Sequence, residues 1–220
     1  MTAGSPGRTV HAAAVAIGAA AALVLFACAS TKAPTDIDLG GQWQLDAASS
    51  DNVDARVSQA VDRAEARQRQ RMRTMAAQNR ARGLSSGDEM PQSGSEPVVS
   101  VPFIGTDFKQ LHQHLLQILG APSSLRLDVQ DQTVTIQSDR LPARDYQPGE
   151  PFVRFDEYGN ATVSASWSGP AFVLHEHYMS HATLTERYEV DAKSGTLTYT
   201  RQLKDPSVGT IELKSIYHHG

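Results

Sequence analysis

The chain has 220 residues, 40% of them hydrophobic, with 20 basic and 24 acidic side chains and a single cysteine. That length fits one ordinary domain with appendages, and a net charge of -4 excludes a nucleic-acid binder working by bulk electrostatics. One cysteine excludes an intramolecular disulfide framework and any CxxC-type zinc or redox site.

Residues 1–27 carry one charged side chain, Arg8, ahead of a 16-residue run from Ala12 to Ala27 without a strongly polar group. A spanning helix needs roughly 20 apolar residues, so this short, alanine-rich run reads as a signal peptide with Arg8 as its positive n-region. The run ends Leu25-Phe26-Ala27-Cys28, which resembles the lipobox of bacterial lipoproteins. The resemblance implies cleavage before Cys28 and a diacylglycerol on its sulfur. It also implies outer-membrane sorting in a Gram-negative envelope, facing the periplasm, because Ala29 follows and not aspartate. Each buried acyl methylene contributes about 0.8 kcal/mol, so two or three chains hold a protein to a bilayer almost permanently. Ala29 to Asp38 lacks apolar periodicity, and residues 28–39 read as a flexible tether.

Gly40-Gly41-Gln42-Trp43-Gln44-Leu45-Asp46 opens the folded part, with Trp43 and Leu45 on one face of a short strand. Gly41-x-Trp43 resembles the first motif of lipocalin-like barrels, in which the tryptophan closes one end. The opening also resembles a set of proteobacterial envelope proteins that begin GxWxLD. In that set a Trp-Ser-Gly segment and a Glu-Arg-Tyr strand follow, as Trp167-Ser168-Gly169 and Glu186-Arg187-Tyr188 do here.

An insertion spans 51–100. Residues 51–83 predict a helix capped by Asp51 or Ser50 and ended by Gly83, with Val53, Val57, Val61, Ala64, Met72 and Met75 forming a thin apolar stripe. Eight arginines against four acids make the segment basic, which suits either a solvated face or contact with anionic lipid or an acidic partner. Leu84 to Glu96 is rich in Ser, Gly and Pro and reads as a loop. Asp107 to Leu119 predicts a second helix, with Phe108, Leu111, Leu115, Ile118 and Leu119 on one face and Gly120 and Pro122 as its stop.

From Ser124 the chain is strand and turn. Leu125, Leu127 and Val129 alternate with Arg126, Asp128 and Gln130, and Val134 and Ile136 answer across a tight turn at Asp131-Gln132. Further strands are expected at 152–155, 161–167, 172–179, 183–190, 197–203 and 211–217. The expectation is one mainly β domain over 40–220: an antiparallel meander forming a lipocalin-like barrel or half-barrel, with two helices before the main strand run. Strand–helix alternation is missing, which argues against a parallel α/β enzyme fold.

Several side chains are candidates for chemistry. His112 and His114 lie two apart on a helix and point to opposite sides. His175 and His177 lie two apart on a strand and project together, so they would offer two ligands to zinc or copper, with Glu186, His181 or Met179 as a third. A two-residue turn at Ser180-His181 puts these histidines on the face of Leu184, Glu186 and Tyr188. A three-residue turn at 179–181 puts Phe172, Leu174 and Glu176 there and turns the histidines outward beside Thr183 and Thr185. The second register matches the apolar residues and is preferred.

In the next hairpin, residues whose numbers sum to 387 match Val190 with Leu197, Tyr188 with Tyr199, Glu186 with Arg201 and Leu184 with Leu203. This face is apolar and therefore inward, so Glu186 and Arg201 are expected to meet as an interior ion pair. The pair either specifies register or lines a polar pocket. Trp43, Glu186, Tyr188, Tyr199 and Arg201 are the pocket candidates. GxSxG, SxxK and phosphate-cradling glycine loops are all missing, and no cofactor is implied. The sequence thus points to a membrane-anchored binding or envelope-maintenance module taking a small apolar ligand or an envelope protein. The alternatives are a partner-docking protein using the arginine-rich helix, a metal binder using His175 and His177, and an enzyme with a pocket around Glu186 and Arg201.

Overall fold

A computed structural model describes residues 30–34, 38–81, 107–156 and 159–220. The segment read as a signal peptide, Cys28 and the whole of the predicted loop from Leu84 to Glu96 lie outside the described residues.

The elements run β1 (Gly41–Asp46), α1 (Val53–Ala81), α2 (Phe108–Leu119), β2 (Ser124–Gln130), β3 (Thr133–Ser138), β4 (Arg144–Tyr146), β5 (Phe152–Asp156), β6 (Gly159–Ser168), β7 (Ala171–Tyr178), β8 (Thr183–Asp191), β9 (Thr196–Asp205) and β10 (Gly209–His219). All ten strands form one antiparallel sheet in the order β4-β3-β2-β1-β10-β9-β8-β7-β6-β5. The sheet curls into a half-barrel with an unpaired seam between β4 and β5. Across that seam the Tyr146 ring lies 6.0 Å from Phe152 and 6.4 Å from Phe172.

Alternation places one face inside. Along β9, Leu197, Tyr199, Arg201 and Leu203 are buried while the residues between them are partly exposed. The β8–β9 register pairs Val190 with Leu197, Tyr188 with Tyr199, Glu186 with Arg201 and Leu184 with Leu203, as the side-chain pattern requires. Likewise β7 and β8 pair Phe172 with Tyr188, Leu174 with Glu186 and Glu176 with Leu184. His181, at φ 65°, supplies the left-handed residue in the turn between them.

Two apolar clusters fill the interior. One gathers Trp43, Leu125, Trp167, Phe172, Tyr188, Tyr199 and Tyr217 deep in the sheet. The other sits at the opposite end, where Val57, Ala60, Val61 and Ala64 of α1 and Leu115 and Leu119 of α2 pack on Leu184, Leu203, Ile211 and Leu213. The helices therefore cap one mouth of the half-barrel.

The cap of α1 differs from the expectation. Asn52, and neither Asp51 nor Ser50, accepts the amide of Ala55. Asp51 instead exchanges hydrogen bonds with the Lys214 backbone, and the Ser50 hydroxyl accepts from the amide of Ile216, so both are occupied by the edge of β10. The apolar stripe of α1 also ends early. Met72 and Met75 are 56% and 57% exposed, because the sheet surface stops at about Ala64. The α2 boundaries match the expectation, with the Asp107 side chain accepting from the amides of Lys109 and Gln110.

Within the segment read as a tether, Leu39 is buried and its carbonyl accepts from the Trp43 indole. The ring of His219 lies over Trp43 at 3.9 Å.

Candidate functional site

A polar belt separates the two apolar clusters. Glu176, Glu186, Arg201 and Ser215 stand inward on the consecutive strands β7, β8, β9 and β10, between apolar residues on either side. Buried polar groups are costly without partners, and the belt supplies them. Arg154 of β5 reaches past β6 and clamps Glu176 with two hydrogen bonds of 2.5 and 2.7 Å. The Tyr178 hydroxyl donates to the same carboxylate at 2.7 Å and accepts from Arg154 at 3.1 Å. Glu176 is 1% exposed.

Arg201 is equally buried and serves a different partner. One terminal nitrogen donates to the carbonyl of Leu119, the last residue of α2, and the other donates to the Ser215 hydroxyl at 3.2 Å. Arg140, from the turn after β3, donates to the carbonyls of Gly120 and Gln117 at 2.6 and 3.1 Å. Two guanidinium groups thus meet the negative end of the α2 dipole and hold that helix over the mouth.

This corrects the expected ion pair. Glu186 and Arg201 are cross-strand neighbours, but no salt bridge forms between them. Tyr199 stands between their charged groups: its hydroxyl donates to Glu186, and Arg201 lies over its ring at 4.8 Å. Tyr188 stacks on Tyr199 at 4.6 Å.

Glu186 is only half-buried, because one side of it faces a cleft of about 90 Å3. The walls include Ile118 of α2, Gly120 just after that helix, Leu125, Ile136, Tyr146, Leu184, Tyr188 and Tyr199, together with the polar Ser138, Arg140, Arg144, Arg154 and Glu176. Ligand pockets commonly measure roughly 300–1,000 Å3, so this one admits a few waters or a guest of similar bulk. Glu186 accepts one hydrogen bond, on Oε1, and its Oε2 has no protein partner among the described residues. Burial, reinforced by the negative charge of Glu176, pushes its carboxyl up to about 7, against the pull of Tyr199 and Arg201. Burial followed by the Glu186 charge likewise raises the phenols of Tyr188 and Tyr199, and burial raises that of Tyr146 to about 12.

Of the five pocket candidates, the structure brings Glu186, Tyr188 and Tyr199 to the cleft and sets Arg201 directly behind them. Trp43 is fully buried at the other end of the half-barrel and has no part in it. His175 and His177 project outward; the first lies 3.2 Å from the Thr185 hydroxyl, and Glu186 faces the other way. No group of three potential metal ligands gathers among the described residues. Sequence reasoning missed Arg154, Glu176, Tyr178 and Ser215. Alternation carried a signal for three of them, since Glu176 and Tyr178 share the face of Phe172 and Leu174, and Ser215 lies between Leu213 and Tyr217; Arg154 had none.

No family model and no curated protein matches the sequence. Among solved structures, apo lipid binding protein 8 of Caenorhabditis elegans is similar over 84% of this chain and 99% of its own, at 11% identity and a TM-score of 0.46. The Schistosoma mansoni fatty acid binding protein in complex with arachidonic acid covers 83% and 96%, at 14% identity and 0.43. A secretary abundant heat soluble protein from Ramazzottius varieornatus covers 82% and 94%, at 13% identity and 0.44. These are likenesses of chain path, and the fold rests on the observed strand order.

Proposed function

We propose that the chain is a lipid-anchored envelope protein whose half-barrel holds a small ligand against Glu186. The observation that carries the binding reading is the Oε2 of Glu186, without a protein partner among the described residues, at the wall of a cleft where aromatic and aliphatic side chains alternate with Ser138, Arg140, Arg144, Arg154 and Glu176. A carboxylate oxygen that faces a cleft and has no protein donor is free to accept a hydrogen bond from a guest in place of water. An amine or hydroxyl would meet Glu186, and a short apolar body would lie on Leu125, Ile136 and Leu184. The cleft volume favours such a guest over a long acyl chain. The anchoring half of the reading rests on the Leu25-Phe26-Ala27-Cys28 sequence and its resemblance to a lipobox.

Calorimetry with ethanolamine, glycerol and palmitate tests the binding. Saturable heat with ethanolamine or glycerol, lost in Glu186→Gln, is the expected result. Stoichiometric palmitate binding unaffected by Glu186→Gln, or no binding of any of the three, would overturn it. The anchor is read separately: Cys28→Ser should leave the membrane fraction and lack acyl mass.

A further inference from the structure

The first described residues are fastened to the end of the sheet opposite the helical cap. Ser30 and Trp167 exchange two backbone hydrogen bonds of 2.8 and 2.7 Å. This is possible because β5 pairs only with residues 159–163 of β6, leaving the later part of that strand with an open edge on this side. Gly149 fills the same edge one step along, donating its amide to the Ala165 carbonyl. Its φ of +90° and missing side chain make room for Thr31, whose methyl would lie 2.8 Å from a Cβ built there. Ala33 packs against the deep apolar cluster. Residues 30–33 are therefore part of the folded body.

The direction of this attachment is defined by the strands. Trp167 lies beside the β6–β7 turn, whereas Ala161, six residues back, pairs with Tyr178 next to the β7–β8 turn. At about 3.3 Å per residue these ends are some 20 Å apart. The capping helices belong to the second end. There α1 starts beside Lys214, and its Arg67 reaches the Ser207 carbonyl in the β9–β10 turn, so the helix runs away from Ser30.

Cys28 precedes Ser30 by two residues, a span of at most about 7 Å. From these placements we infer that the end of the half-barrel around Ser30 and the β6–β7 turn is a membrane-contact face, seated on a lipid bilayer, with the helical cap and the cleft directed away from the lipid. The inference rests on acylation of Cys28 as given under Proposed function. A guest then enters from the aqueous side, and the arginines of α1 beyond Ala64 point away from the anchoring membrane.

The test uses the full chain, processed and acylated in a Gram-negative host and reconstituted in phosphatidylethanolamine/phosphatidylglycerol vesicles. Acylation blocks Cys28, so Pro170→Cys in the β6–β7 turn and Met179→Cys in the β7–β8 turn each take a single fluorophore. Nitroxide-headgroup lipid should quench the label at 170 several-fold more than that at 179. Ser30→Pro, which removes the amide donated to Trp167, should bring the two toward equality while the acyl mass is retained. Equal quenching in the parent chain, or stronger quenching at 179, would overturn the proposed face. An intact mass without acyl chains would instead overturn the Cys28 reading, and is measured before any vesicle is made.

Discussion

Glu186 and Arg201 face each other across the β8–β9 ladder and touch Tyr199 instead of one another, the carboxylate through its hydroxyl and the guanidinium over its ring. Their roles are thereby separated: Arg201 ends α2, and Glu186 faces the cleft.

Arg201→Met should cost about 2–4 kcal/mol, because it leaves the buried Leu119 carbonyl and Ser215 hydroxyl without their donor. Adding Glu186→Leu should not restore stability, since the lost partners lie on α2 and β10. Denaturant titration of the single and double variants checks this; full rescue would show a direct charge pair after all.

The clamp of Arg154 on Glu176 is nearly dry, with the two side chains 11% and 1% exposed. Removing one partner strands the other, so Arg154→Met should destabilise by about 3–5 kcal/mol. Glu189→Gln, which breaks only the surface contact with Arg187, should cost at most about 1 kcal/mol. Equal midpoints in urea for the two variants would contradict the interior placement.

Glu186 should also leave a signature in the pH dependence of stability. Its folded carboxyl is raised from 4.5 to about 7, so between these values the folded chain binds more protons than the unfolded one. The stability it contributes is fully present below 4.5 and is lost as pH rises toward 7. Subtracting the profile of Glu186→Gln isolates this decline from the opposite trend of Asp46, which hydrogen bonds from Ser49 hold near 2. A difference profile that is flat or rises with pH would contradict the raised value.

His175 and His177 should bind zinc weakly, at a level set by two exposed imidazoles. Titration calorimetry would refute this by showing one tight zinc per chain that disappears in His177→Ala.

The hairpin registers were legible because side-chain alternation flips with a one-residue slip, and only one register buries Leu184, Tyr188 and Tyr199 together. Strand β4 was not, since Arg144–Tyr146 is three residues long and offers no alternation to read. The site was half legible. Glu186 could be placed inward from its own hairpin, but Arg154 reaches Glu176 from the next strand but one, a contact no single hairpin specifies. The partner of Arg201 is further still, 82 residues away on a helix. Trp43 misled because its motif fixes burial, and burial placed it at the end without the cleft.

The polar belt divides the interior into two apolar compartments that, among the described residues, share Tyr178 alone. Regions joined mainly by hydrogen bonds open at lower free energy than regions joined by a continuous core. The compartment under α1 and α2 should therefore detach as a unit, exposing the cleft, while the sheet around Trp43 and Tyr217 stays closed. Amide exchange would then show α2 amides opening well below the global unfolding free energy and β10 amides near Tyr217 exchanging only with it. The barrier separating the two compartments would double as the hinge through which a guest gains entry.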